Sequence, residues 1–351
     1  MKQKLLYLIL VLAVGAAIWY WYRVFVGPRV SAPSIVPSVS TTTVSTGEEF
    51  NFPYQSALDG SGVTDRNAIY PTVVGVMIDN HPDARPERGL SKARVVYEAP
   101  VESPYTRYLA LFAANDSVPA VGPVRSARPY FIDWAGEYGA LYLHSGGSPD
   151  ALTALASSTA VHDVNEFYNG GYFWRDTVRT APHNLFTKDD LWISWLNDNQ
   201  ISSAQTWPVW QFVTTSAAVG SIGETASQVT FSYAPDYAIT WVYQPRSLRY
   251  ERQENRAVYH DDDGSTVTAG TVVVQMVAIK TVDSAGRRQI STTGQGEARV
   301  FTAGHAFKGT WIKQPNGRTR FYDALGNQIP FMPGPVWIEV VPIGTSLTTI
   351  N

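Results

Sequence analysis

TVVGVMIDNHPDARP (residues 72–86), ARVVYEAPVE (93–102), YTRYLALFA (105–113), VGPVRSARPYF (121–131) and ALYLHSGGSP (140–149) decide the fold class of this 351-residue chain. The runs 72–78, 93–99, 107–113 and 140–145 are short, bounded and rich in β-branched and aromatic residues, which predicts buried strands. Pro129 to Tyr138 and Pro149 to Ser157 each open with Pro in a first helical turn, the second with Ser148 placed to cap it. Thr187 to Asn197 predicts a third helix, with Thr187 as N-cap and Asp189 and Asp190 in its first turn. Strands interleaved with helices predict an α/β N-terminal domain, drawn over 69–219. Beyond Gly220 the pattern changes to strand-length runs such as QVTFSYA, AITWVYQ, TVVVQMV and VWIEVVP, separated by turn signals including DDDG and PNGR. No helical period remains, so 220–351 is predicted as a mostly β C-terminal domain, a barrel or sandwich.

The apolar runs end in, or are opened by, groups that carry chemistry. Asp79, Asn80 and His81 close the first, Glu98 and Glu102 the second, His144 and Ser148 another, while Arg125 and Arg128 precede a helix. A carboxylate pair beside Arg107 could act as general acid and base, or could be a buried ion network. Arg125, Ser126 and Arg128 beside a helix start suit a phosphate or carboxylate, helped by the backbone of Gly146, Gly147 and Ser148; the alternative is neutralisation of Glu98 or Glu102. Ser148 reads as a helix cap more readily than as a nucleophile served by His144. His183 and Asn184, in APHNLFT, complete the pocket or satisfy a loop. Asp79, His81, Asp83, His144, His162 and His183 are residues that zinc favours, but no HxH or HxxxH pair is present, and no metal or cofactor is expected. No nucleophile elbow, P-loop, zincin helix or dinucleotide fingerprint occurs, so no reaction is written in the chain. The C-terminal aromatics Trp241, Tyr243, Trp311, Phe321, Tyr322 and Trp337 read as core packing before a sugar-stacking face.

MIDNHPDARP, VYEAPVE, TRYLALF, VGPVRSARPYF, LHSGGSP and APHNLFT, in that order, resemble the YerB-like family of bacterial envelope proteins, a two-part domain of unknown function. The resemblance runs from about residue 69 to the C-terminus. It implies an α/β first part, a second part and a location outside the cytoplasmic membrane, with no reaction attached. Many members look like lipoproteins held by an acylated Cys; this sequence departs from them in having 0 Cys.

A different anchor is therefore expected. LLYLILVLAVGAAIWYWY, residues 5–22, is uncharged and long enough to cross a ~30 Å hydrocarbon core, with an aromatic belt at its far end. Lys2 and Lys4 before it favour an N-in, C-out signal anchor over 1–26, against the alternative of a cleaved signal peptide. The segment 27–68 is rich in Pro, Ser and Thr and is expected to be a tether. A formal net charge of -3 without a Lys/Arg block argues against nucleic acid.

The expectation is thus a single N-terminal transmembrane helix carrying an extracytoplasmic body that binds an anionic or cell-wall-related ligand. Two rivals stand beside it. One is an envelope hydrolase or lyase using Glu98 or Glu102 with His81 or His144, and the other an assembly module for a membrane-protein partner.

Overall fold

Val73–Asp79 (β1) and Thr106–Ala113 (β3) are buried at every position, as strands covered on both faces must be. With Val95–Pro100 (β2), Leu141–His144 (β4) and His162–Asn165 (β5) they form one half of an 11-stranded sheet. Helices Pro129–Gly136 (α1), Pro149–Ser157 (α2) and Asp189–Asp198 (α3) lie among and after these strands. The second half of the chain supplies Gln228–Ala234 (β6), Tyr237–Gln244 (β7), Arg249–Glu254 (β8), Thr271–Val277 (β9), Gly294–Thr302 (β10), His305–Lys313 (β11) and Val336–Pro342 (β12). The computed structural model describes residues 52–102, 104–201, 205–213, 219 and 223–351. The expected membrane helix lies outside these residues, and no described helix is long and apolar enough to cross a membrane.

The large sheet runs Glu224–Thr225, β11, β10, β9, β12, β2, β3, β1, β4, β5. β12 joins the halves by pairing parallel with β2, Val336 opposite Val95 through to Glu339 opposite Glu98. The C-terminal half is therefore not a separate barrel or sandwich: β9 to β12 extend the N-terminal sheet, while β6 to β8 form a 6-stranded sheet with short flanking strands. The whole is mostly β with few helices.

Period-2 alternation splits the core in two. Val73 and Met77 face one cluster with Tyr130, Phe131 and Trp134 of α1 and Leu155 of α2. Val74, Val76 and Ile78 face the other, with Trp192 of α3 and Val229, Ile239, Trp241 and Tyr250 of the smaller sheet. Trp207 and Trp210, in the join between the halves, are buried, Trp207 against Tyr70 and Tyr138 and Trp210 against Phe321 and Phe331.

Two further expectations are corrected here. Residues 52–68 belong to the compact unit rather than the tether, because Ala57 and Leu58 are buried and Asp59 pairs with Arg94 at 3.4 Å. Lys188, not Thr187, is the N-cap of α3; the Thr187 hydroxyl donates instead to Tyr172 O. β5, of sequence HDVN, was not anticipated, being short and polar.

Candidate functional site

β1, β4 and β5 run parallel in the order β1, β4, β5, so their C-terminal ends share one rim, where open α/β sheets place ligands. Asp79 is the hub of that rim. Its Oδ2 accepts from His183 Nδ1 at 2.7 Å and lies 3.0 Å from Arg125 Nε, an ion pair whose angle falls short of a hydrogen bond. The backbone fixes this meeting: Asp79 N–H donates to Pro123 O at 2.8 Å and Arg125 N–H to Met77 O at 2.9 Å. His81 stacks on His183 with ring centroids 4.8 Å apart. Among the described residues the Arg125 guanidinium makes no hydrogen bond, and its side chain is 25% exposed.

Two more guanidiniums stand behind it. Arg128 donates through Nε and Nη2 to Glu102 Oε1, at 3.0 and 2.5 Å, and through Nη1 to Ala127 O. Arg107 donates to Ser126 O at 3.0 Å, reaches Glu102 only at 3.9 Å, and has a buried Nε without a partner. Burial first, then the neighbouring Arg128 and, against the help of Asp79, Arg125, push Arg107 down to about 10. Burial acts to raise Glu102, but Arg128 and then Arg107 outweigh it and hold this carboxyl below its usual range. Three arginines thus share two carboxylates, Asp79 and Glu102.

The other expected residues are placed elsewhere or spoken for. Glu98 and Glu102 do not form a pair, because β2 ends at Pro100 and Glu102 turns off towards Arg128 while Glu98 faces the smaller sheet. Glu98 is wholly buried; its Oε1 accepts from Asn80, Thr106 and Tyr237 and its Oε2 from Arg252 at 3.0 Å. Asn80 also accepts from Arg85 Nε at 2.9 Å. His144 is buried with Nδ1 against Gly146 O and Nε2 against Asp163 Oδ1, at 2.7 and 2.6 Å. The turn after it is closed on the protein: Ser145, Gly146 and Ser148 N–H groups donate to Arg125 O, Asn165 Oδ1 and Ala127 O. Gly146 takes φ +61 there, which favours glycine, and Gly147 bridges Ala127. Ser148 Oγ caps α2 by accepting from Ala151 N–H. Asn184 bonds Arg175 and Asp176 O and so fixes its own loop. Trp241, Trp311, Phe321 and Trp337 are core residues.

Sequence reasoning missed Arg252, Tyr237 and Glu339. Glu339 sits opposite Glu98 and accepts from Trp241 Nε1 and Tyr233 Oη, both at 2.8 Å. Burial, then the Glu98 charge, push its carboxyl well above the usual range. The one available signal was a lone Glu in the apolar run VWIEVVP. A cavity of about 220 Å³ lies at the opposite, N-terminal ends of β1 and β4, between Thr72, Tyr138, Leu141, His162 and Gln200, and includes none of the arginines.

Residues 59–201 match the family model for the protein of unknown function (DUF3048) N-terminal domain, and residues 228–338 match its C-terminal domain. The chain belongs to the DUF3048 family. The Bacillus subtilis protein named "Putative lipoprotein YerB" is 30% identical over 287 residues, 80% of this chain and 84% of that one. The crystal structure of YerB protein from Bacillus subtilis is similar with a TM-score of 0.74 at 28% identity, over 84% of this chain and 99% of that one. In DUF3048 terms the Asp79, Arg125 and His183 rim lies within the N-terminal part, whereas the contact between Glu98 and Arg252 joins the two parts.

Proposed function

We propose that this chain is an extracytoplasmic, membrane-anchored binding protein that takes an anionic envelope ligand, a phosphate or carboxylate group, at the Asp79, Arg125 and His183 rim. The observation that carries the reading is Arg125: an arginine held in place by Asp79, with no hydrogen bond among the described residues and with its side chain 25% exposed. A planar guanidinium fork suits both groups by bidentate bonding. The excess of guanidinium over carboxylate among Arg107, Arg125, Arg128, Asp79 and Glu102 leaves charge for a ligand to neutralise.

The membrane part rests on the apolar run 5–22 and on the lipoprotein name of the Bacillus relative. With no Cys in the sequence, the apolar run itself is the proposed anchor. Acid–base chemistry through Glu98 or His144 has less support, since both are buried and fully engaged.

Calorimetric titration of the detergent-solubilised full chain with inorganic phosphate and with acetate tests the reading. Binding weakened at least tenfold by Arg125→Ala, at unchanged melting temperature, is the expected result. Equal affinity in the variant would retire the site.

A further inference from the structure

Asp79 Oδ2 gathers two side chains that each spend one nitrogen on it, His183 through Nδ1 at 2.7 Å and Arg125 through Nε at 3.0 Å. Their other nitrogens are left for a ligand. Among the described residues neither His183 Nε2 nor Arg125 Nη1 and Nη2 has a hydrogen-bond partner, and solvent reaches all three. They differ in what they offer. A guanidinium nitrogen only donates. A carboxylate only accepts, so the 2.7 Å contact puts the single proton of an uncharged His183 on Nδ1 and leaves Nε2 a bare lone pair, an acceptor. Flipping the ring would put carbon against Asp79, so the carboxylate that positions the arginine also holds the tautomer.

His81, stacked on His183, has the opposite polarity. The Asp83 backbone N–H donates to His81 Nδ1 at 3.2 Å, which places the proton of that ring on Nε2. The rim therefore presents two kinds of donor, Arg125 and His81, beside one acceptor, His183. Phosphate or carboxylate oxygens satisfy the donors, but against His183 Nε2 they are acceptor on acceptor. The His183 side chain is only 13% exposed, and a ligand that displaces its water without supplying a donor forfeits a hydrogen bond there. A hydroxyl supplies one. An ammonium also donates, but the three arginines around Asp79 and Glu102 carry more charge than those two carboxylates offset, which disfavours a second cation.

We propose that His183 is a specificity-determining residue and that the rim takes an anion carried on a hydroxylated skeleton, a polyol or sugar phosphate. The phosphate lies on Arg125 and a neighbouring hydroxyl donates to His183 Nε2. This rests on the anion reading above and narrows it, since an alkyl phosphate fills the arginine side and leaves the histidine side unmatched.

The test is calorimetric titration of the detergent-solubilised full chain, at about pH 8 where imidazole is uncharged, with glycerol phosphate, glucose 1-phosphate, ethanolamine phosphate and propyl phosphate. Glycerol phosphate or glucose 1-phosphate should bind about three- to tenfold tighter than propyl phosphate, the worth of one hydrogen bond. His183→Ala should close that gap while propyl phosphate binding stays dependent on Arg125. Nitrogen-15 NMR of the unaltered chain, which needs no variant to fold, should find the His183 proton on Nδ1 and none on Nε2. Propyl phosphate as tight as both hydroxylated esters, ethanolamine phosphate tighter than either, or a proton on Nε2 would overturn the inference and leave the anion reading standing. Failure of every phosphate to bind through Arg125 would remove both.

Discussion

Glu98 on β2 and Arg252 on β8 meet at 3.0 Å with neither side chain exposed, and they come from the two halves of the chain. Tyr237 Oη lies 2.7 Å from Glu98 and 2.9 Å from Arg252 and so closes the group. Removing one partner of a buried pair strands the other charge and costs about 3–5 kcal/mol. Arg252→Ala should therefore lower the melting temperature sharply, and adding Glu98→Gln should recover part of the loss. Calorimetric melts of the single and double variants check both.

Glu87 gives a pH signature. It is wholly buried, hydrogen-bonded by Tyr259, and its other oxygen has no partner. Burial pushes its carboxyl up to about 8 from 4.5. The folded chain then keeps a proton that the unfolded chain releases, so this contribution is full below about 4.5 and is lost as pH rises towards about 8. Glu87→Gln should flatten the fall in stability between these limits and, at pH 8, stabilise the chain by a few kcal/mol relative to the native residue. Chemical denaturation across pH reads the slope.

Glu102 competes with any anion for Arg128 and Arg107. Glu102→Gln should strengthen phosphate binding several-fold, opposite in sign to Arg125→Ala. Because the Arg128 and Arg107 side chains that Glu102 faces are only 9% and 8% exposed, the same change leaves buried guanidinium charge less compensated and should also lower the melting temperature. Isothermal titration and a melt of the same variant separate the two effects.

The proposed anchor predicts an uncleaved N-terminus. Mass spectrometry after trypsin should find the peptide from Leu5 to Arg23 in the membrane fraction. A mature N-terminus at Ala17 would contradict it.

The legible parts of the fold were those written in local pattern. Val73–Asp79 and Thr106–Ala113 hold the apolar stretches VVGVMI and YLALFA, and Ser148 followed by Pro149 marks a helix start; the structure places all three within a residue or so of expectation. Long-range pairing was not legible. Nothing near Val336 says that β12 will run parallel to β2, and that pairing is what merges the second half with the first. Arg252 alternates inward with Tyr250 along β8, while its strand-mates Arg249 and Glu251 lie less deep. Which Arg of SLRYERQ is buried depends on a sheet face that only Glu98, far away in the chain, defines. At the site, Asp79 and Arg125 were marked by ending or opening a run and His183 by its place in APHNLFT, but the shared Asp79 Oδ2 arises from two loops meeting. Composition also misled at residues 52–68, where Ala57 and Leu58 are buried despite polar surroundings.

The most direct test of the central claim is where an anion sits. Crystals of residues 50–351 grown with tungstate, a phosphate analogue visible by its anomalous scattering, should show a peak within hydrogen-bond reach of the Arg125 terminal nitrogens and on the solvent side of Asp79. A well-ordered Arg125 with no peak beside it, or a peak that persists unchanged in Arg125→Ala crystals, would contradict the account.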